Sequence, residues 1–296
     1  MKLRQSSRNS AKRVLNYTLI ALLCFACGCS SSTKPTYIKE NIEQDIRDIC
    51  RNEYALEVKT KLIGSTLWVY LPVEDLFISA EKPEKYTEKF AIDYNKTRSQ
   101  DSRLKSDYLI KPIPDKEKSQ DYKYNKEVLE KINNVWKVLR RVIFSMSQLK
   151  GGKPEFFCIV TADIKKGFEL SELFYYLDFK KISYNFISWN EYQHRSIQDA
   201  NMSAEIIGDK EGRHLNFKDI ALEDFVMQQI DYRIRLKFQK PEVEKNADID
   251  KEIIKIAVYT IKTYSLKGFG ALELNNLLTR NKITLTEQEI WANPIH

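Results

Sequence analysis

Three histidines (His194, His214 and His296) and five cysteines are the whole supply of imidazole and thiol chemistry in this 296-residue chain. No two histidines stand at metal-ligand spacing, HExxH is absent, and no CxxC occurs beyond residue 29, so no metal or other cofactor is expected. There is no Gly-x-Ser-x-Gly elbow, phosphate-binding glycine loop or dinucleotide fingerprint. Gly151-Gly152-Lys153 lacks the first glycine of a phosphate loop and runs into Pro154, which makes it a helix stop. Cys158 and His194 form the one conceivable nucleophile–base pair, with Asp163 or Asp178 to orient the imidazole. Against that pair, Cys158 sits inside the apolar run from Phe156 to Ala162, where burial raises a thiol pKa and suppresses its reactivity. Asp163, just past that run and close to Gly167, is the carboxylate best placed for a ligand site, and a turn carboxylate explains it equally well. Trp68 and Trp189 have the ring size to stack on a sugar, and core packing is the plainer reading of each. Trp68, Trp189, Asp163 and His194 are therefore the candidate ligand-binding residues, and none is a catalytic assignment.

The N-terminus says more. Lys2, Arg4, Arg8, Lys12 and Arg13 precede a short apolar stretch from Val14 to Ala26 that ends in small residues and cysteines. A basic head, a short apolar middle and a small-residue end are the three parts of an export signal. A membrane-spanning helix needs about 20 apolar residues, more than this stretch supplies. Ala26-Cys27-Gly28-Cys29 then resembles the lipobox of bacterial lipoprotein precursors, with Ala26 where Leu is commonest and Cys27 where Ser or Ala is usual. The resemblance implies cleavage after residue 28 and a diacylglycerol thioether on Cys29. Cys24-Phe25-Ala26-Cys27 is a weaker frame that shifts the cut by two residues, and a plain cleaved signal is the alternative to both. Ser30, not Asp, follows Cys29. The resemblance thus implies a protein held by its N-terminal lipid in the outer membrane of the cell envelope, facing the periplasm. Residues 29–36 form a short polar tether containing Pro35.

The formal charge of +7 falls to +2 once the five basic residues of the signal are set aside. A near-neutral exported chain has no electrostatic footprint for nucleic acid. With 43 % hydrophobic and 11 % aromatic residues, the remainder can bury a core as one large domain or two smaller ones. Two cysteines remain, Cys50 and Cys158. They pair across about 100 residues, a constraint worth up to about 4.7 kcal/mol in the entropy model, or they stay as two buried free thiols.

The elements follow from periodicity. Ile38, Ile42, Ile46, Ile49 and Cys50 mark an amphipathic helix. Leu56 to Leu71 alternates about Gly64-Ser65 and predicts a hairpin whose second strand is apolar on both faces. Val128 to Met146 predicts a longer helix, and Phe156–Ala162 a central strand. Leu170, Leu173, Phe174 and Leu177 suggest a further helix, Ser188–Glu191 has the form of a capping box, and two helices follow from Leu222 and from Ile249. A last strand spans 282–286. The stretch 79–124 is too polar for a core and reads as a solvated, tyrosine-bearing insertion or an extra hairpin. The expected fold is α+β: a small, mostly antiparallel sheet (the hairpin plus the central strand) with helices on one face, over residues 37–200, and a helix-rich part over 201–296. The expected function is a non-enzymatic, membrane-tethered module that binds another envelope protein. A carbohydrate- or peptidoglycan-binding lipoprotein is the second reading, and a hydrolase with an unrecognised site the third. An indole exposed in a groove would favour the second.

Overall fold

Asn41 starts the first helix, its side chain accepting the Gln44 N–H (3.1 Å) and leaving Ile42, Ile46, Ile49 and Cys50 on one buried stripe of α1 (Ile42–Tyr54). The structure is a computed structural model that describes residues 41–146, 153–240 and 242–292. The signal, the tether and Cys29 lie outside the described residues. Next come β1 (Lys59–Ile63) and β2 (Thr66–Val73), joined at Gly64-Ser65 and paired from Lys59↔Tyr70 to Ile63↔Thr66. Further along lie α2 (Lys126–Ser145), β5 (Phe156–Asp163), β6 (Phe168–Tyr175), α3 (Tyr176–Ser183), α4 (Trp189–Arg195) and β7 (Ile197–Met202).

These strands make a five-stranded sheet in the order β1-β2-β5-β6-β7, in which β2 and β5 run parallel and every other pair is antiparallel. Both central strands are buried along nearly their whole length, as parallel neighbours covered on two faces must be. Alternation sends their side chains to two separate cores. Leu67, Val69, Leu71, Phe157 and Ile159 join α1 and α2 in one, while Trp68, Tyr70, Phe156, Cys158 and Val160 face the other.

The second core is where the expected architecture fails. Of the two readings of the polar stretch, the extra hairpin is the one that forms, as β3 (Phe77–Gln100) and β4 (Arg103–Tyr124), turned at Asp101 and Ser102, both at positive φ as a two-residue hairpin turn requires. Its turn-side half is apolar on one face, through Phe90, Leu104, Tyr108 and Ile110, and at its base Phe77 packs on Phe168 and Tyr124. The C-terminal part adds α5 (Leu222–Gln239), α6 (Ile249–Thr263), β8 (Ala271–Asn276), β9 (Asn281–Thr286) and α7 (Glu287–Ala292). β8 pairs parallel to β4, giving a second mixed sheet, β3-β4-β8-β9. The protein is thus α+β with two mixed sheets. It is not a small antiparallel sheet with helices on one face and a helix-rich C-terminus. Core residues from Trp68 to Ile290 lie on both sides of position 200. α5 packs against both β3 and β7 and buries Phe225, Val226, Met227, Ile230 and Ile234 around much of its circumference, as a helix enclosed from more than one side does. The helix expected around Leu170–Leu177 is instead β6 followed by α3. Its apolar residues are split between the sheet's two faces, a pattern that imitates helical spacing over so short a run.

The β1–β2 turn is clamped by Asp219, whose Oδ1 accepts from Ser65 N (2.8 Å), Ser65 Oγ (3.0 Å) and Thr66 Oγ1 (3.1 Å). Gly64 has φ +55°, and a methyl there would overlap that carboxylate. Gly64→Ala should therefore lose about 2–4 kcal/mol of stability, from left-handed backbone strain together with the displaced clamp. A urea melt checks this, and a midpoint equal to wild type would mean the turn adjusts freely.

Candidate ligand-binding cleft

On its outer face the first sheet is roofed by α1 and α2 over β1, β2 and part of β5. Between α2 and the α3–α4 pair lies a cleft of about 960 Å³. Its floor is the sheet itself: Ile159 and Thr161 of β5, Leu170 and Glu172 of β6, Gln198 of β7. One wall is α2, through Ile132, Trp136, Lys137 and Arg140; the other is Phe179, Ile182, Trp189 and Tyr192.

The second wall is held from below. Ser188 Oγ accepts the Glu191 N–H (3.1 Å) at the start of α4, and Arg195 at its end is buried. Arg195 donates to Asp178 Oδ1 of α3 (2.9 Å) and to Glu191 Oε1 (2.7 Å), while Tyr259 of α6 donates to the same Glu191 oxygen (3.0 Å). Breaking one side of a buried, hydrogen-bonded ion pair costs about 3–5 kcal/mol, so this network fixes α4 against α3. Trp136 of the first wall stacks on Phe179 of the second (5.3 Å, 19°) and ties the two together. Trp189, by contrast, is 62 % exposed and leans on Tyr192 (5.6 Å, 33°).

One floor group and one wall group have shifted chemistry. Burial raises the Glu172 carboxyl above its ordinary range, outweighing the hydrogen bonds from Ser196 and Gln198 that favour its charge. Tyr192 is pushed well above the usual tyrosine range, first by burial and then by the nearby Glu172 and Asp178. Its hydroxyl is buried and has no hydrogen-bond partner among the described residues.

Of the residues singled out in the sequence, only Trp189 reaches this cleft. Trp68 is buried in the other core and donates Nε1–H to Lys218 O (2.9 Å). Asp163 is a turn carboxylate: Oδ2 accepts from Leu76 N (2.9 Å), and Oδ1 from Lys165 N and Lys166 N (both 3.1 Å). His194 stands beside Lys240 Nζ (3.2 Å), and burial, Lys240 and Arg233 lower its pKa. Cys158 and His194 are not brought together, and Asp178 is committed to Arg195. Cys50 and Cys158 are free thiols in cores on opposite faces of the sheet, so no disulfide links them; burial pushes Cys50 up to about 12 and raises Cys158 further. Glu172 passed unnoticed in the sequence, though an acid inside the strand-like run FELSELFY was a usable signal.

A second polar constellation was also missed. His214 bridges two carboxylates, Nε2 to Glu169 Oε2 (2.8 Å) and Nδ1 to Asp209 Oδ2 (2.6 Å), with Tyr70 donating to Asp209 O (2.5 Å). Both ring nitrogens are occupied, so the imidazole is a clamp that pins the 209–214 turn to β6 and not a base.

No protein-family model, curated protein or solved structure matches this chain. Among the described residues no helix is long and apolar enough to cross a membrane, and no cluster of three or more potential ligands could hold a metal ion.

The clamp has a pH signature. Burial works against the His214 charge, but Glu169 and Asp209 outweigh it, and the folded pKa is raised. Its stabilisation is complete below about pH 6.5, the unfolded imidazole's value, and fades as pH rises through the folded one. Asp209 has the opposite sign: burial opposes its charge, His214 and backbone amides prevail, and its pKa falls to about 2. That contribution is complete above about pH 3.9 and is lost on acidification towards the folded value. Thermal melts should accordingly show His214→Gln lowering Tm more at pH 6 than at pH 9. An equal loss at both pH values would mean that the ring carries no charge.

Proposed function

We propose that the protein is a lipid-anchored, non-catalytic binding module of the cell envelope, tethered through Cys29 and facing the periplasm, with the α2–α4 cleft as its ligand site. The observation that carries this reading is the indole of Trp189, presented to solvent on the lip of a concave cleft. A sugar offers a ring face of C–H groups and a rim of hydroxyls. Trp189 suits the first, and Gln193, Gln198, Asn133, Asn185 and Ser183 supply neutral donors and acceptors for the second. The cleft pairs no activated nucleophile with a base, and both described thiols are buried away from it, so binding without turnover fits best.

A second reading, docking of another envelope protein, is favoured by β7. It is an edge strand exposed from Gln198 to Met202, where the Ala200 N–H is capped by its neighbour Asp199 (3.0 Å).

Two measurements test the proposal. Metabolic labelling with an alkyne fatty acid should mark the wild-type protein in the membrane fraction and leave Cys29→Ala unlabelled; an unlabelled wild type would remove the anchor. On an array of bacterial glycans, Trp189→Ala should weaken binding about tenfold, the scale of one lost aromatic stack of about 1–1.5 kcal/mol. A wild type that ignores the glycans and cross-links in membranes to one protein would replace the saccharide reading with the second.

A further inference from the structure

The cleft is not electrostatically even. Arg140 and Lys137 lie three residues apart on the cleft-lining side of α2, and both are exposed. Among the described residues Arg140 has no ion-pair partner, while Lys137 donates to the neutral Asn134 Oδ1 (2.9 Å) and sits over the Tyr54 ring. The acid on the same wall, Glu130, is two helical turns from Lys137, about 10 Å along the axis. On the floor, burial raises the Glu172 carboxyl above its ordinary range, which disfavours its charge. The α2 wall of the cleft therefore carries two positive charges with no ion-pair partner among the described residues.

We propose that the cleft takes an acidic saccharide, a sugar chain bearing a carboxylate, with Trp189 against the sugar face and Arg140, supported by Lys137, on the carboxylate. This rests on the saccharide reading above and adds the charge of the ligand to it. A guanidinium fork matches a carboxylate with two parallel hydrogen bonds, and an unpaired one on a cleft wall has no internal partner to lose on binding. Glu172 and Gln198 on the floor then meet hydroxyls, which both donate and accept.

The test uses the mature lipidated protein in lipid nanodiscs and a matched pair of probes, tetragalacturonate and its methyl ester, which share a sugar backbone and differ in charge. Calorimetry should show the acid binding at least tenfold tighter than the ester, with the difference shrinking in high salt. Arg140→Gln with Lys137→Gln should bring the acid down to the affinity of the ester and leave the ester unchanged, while Arg140→Lys should keep part of the preference. Trp189→Ala should weaken both probes. Equal affinities for acid and ester, both lowered by Trp189→Ala, would overturn the charge preference and leave the saccharide reading standing. Binding of neither probe by the wild type would overturn the two together.

Discussion

The pairing of β2 with β5 is the constraint on which the rest of the molecule depends. Thr66–Val73 and Phe156–Asp163 run parallel in full register, and almost every side chain on both is apolar and buried. Two such strands side by side present greasy surface above and below, so each face needs its own cover. α1 and α2 close one. On the other, a helix enclosed by two elements and a second sheet do the work. Cys50 and Cys158 illustrate the separation, since two thiols in one small protein end up on opposite sides of a continuous backbone layer.

The cleft is a by-product of that arrangement. The sheet is five strands wide, and α1 and α2 cover little more than half of it. The short α3 and α4 follow β6 and return over the sheet's far side, and the ion pairs of Arg195 hold them as a wall and not as a lid. Polar groups such as Glu172 and Gln198 are tolerated on the floor because the cleft keeps the β6–β7 end of this face from being packed over. The same strand that fills the core with Phe174 therefore presents a carboxyl two residues earlier.

Where a local pattern decides the structure, the sequence was readable. Ile42 to Cys50, the Gly64-Ser65 turn, the double-sided apolar strand at Phe156 and the Ser188 cap all form as their spacing implies. What escaped is non-local. Ala271–Asn276 is a strand because Arg103–Tyr108 lies beside it, and nothing in either segment names the other. The hairpin stood as one of two readings because its middle is a polar ribbon braced by pairs such as Lys118–Glu88. Trp189 was legible as a candidate from residue type alone. The cleft it borders is also lined by Trp136, Phe179 and Glu172, which come from three other elements.

The parallel junction of β4 with β8 also governs when the fold can be completed. Arg103 and Glu273, which meet across it in a 2.6 Å ion pair, are 170 residues apart. Closing a loop of that size is slow, and β4 has only β3 as a sheet neighbour until the last tenth of the chain has been synthesised. A growing chain can assemble the first sheet's leading strands, yet its second layer must wait. The topology thus separates folding into an early first sheet and a second sheet that closes only when synthesis is nearly finished.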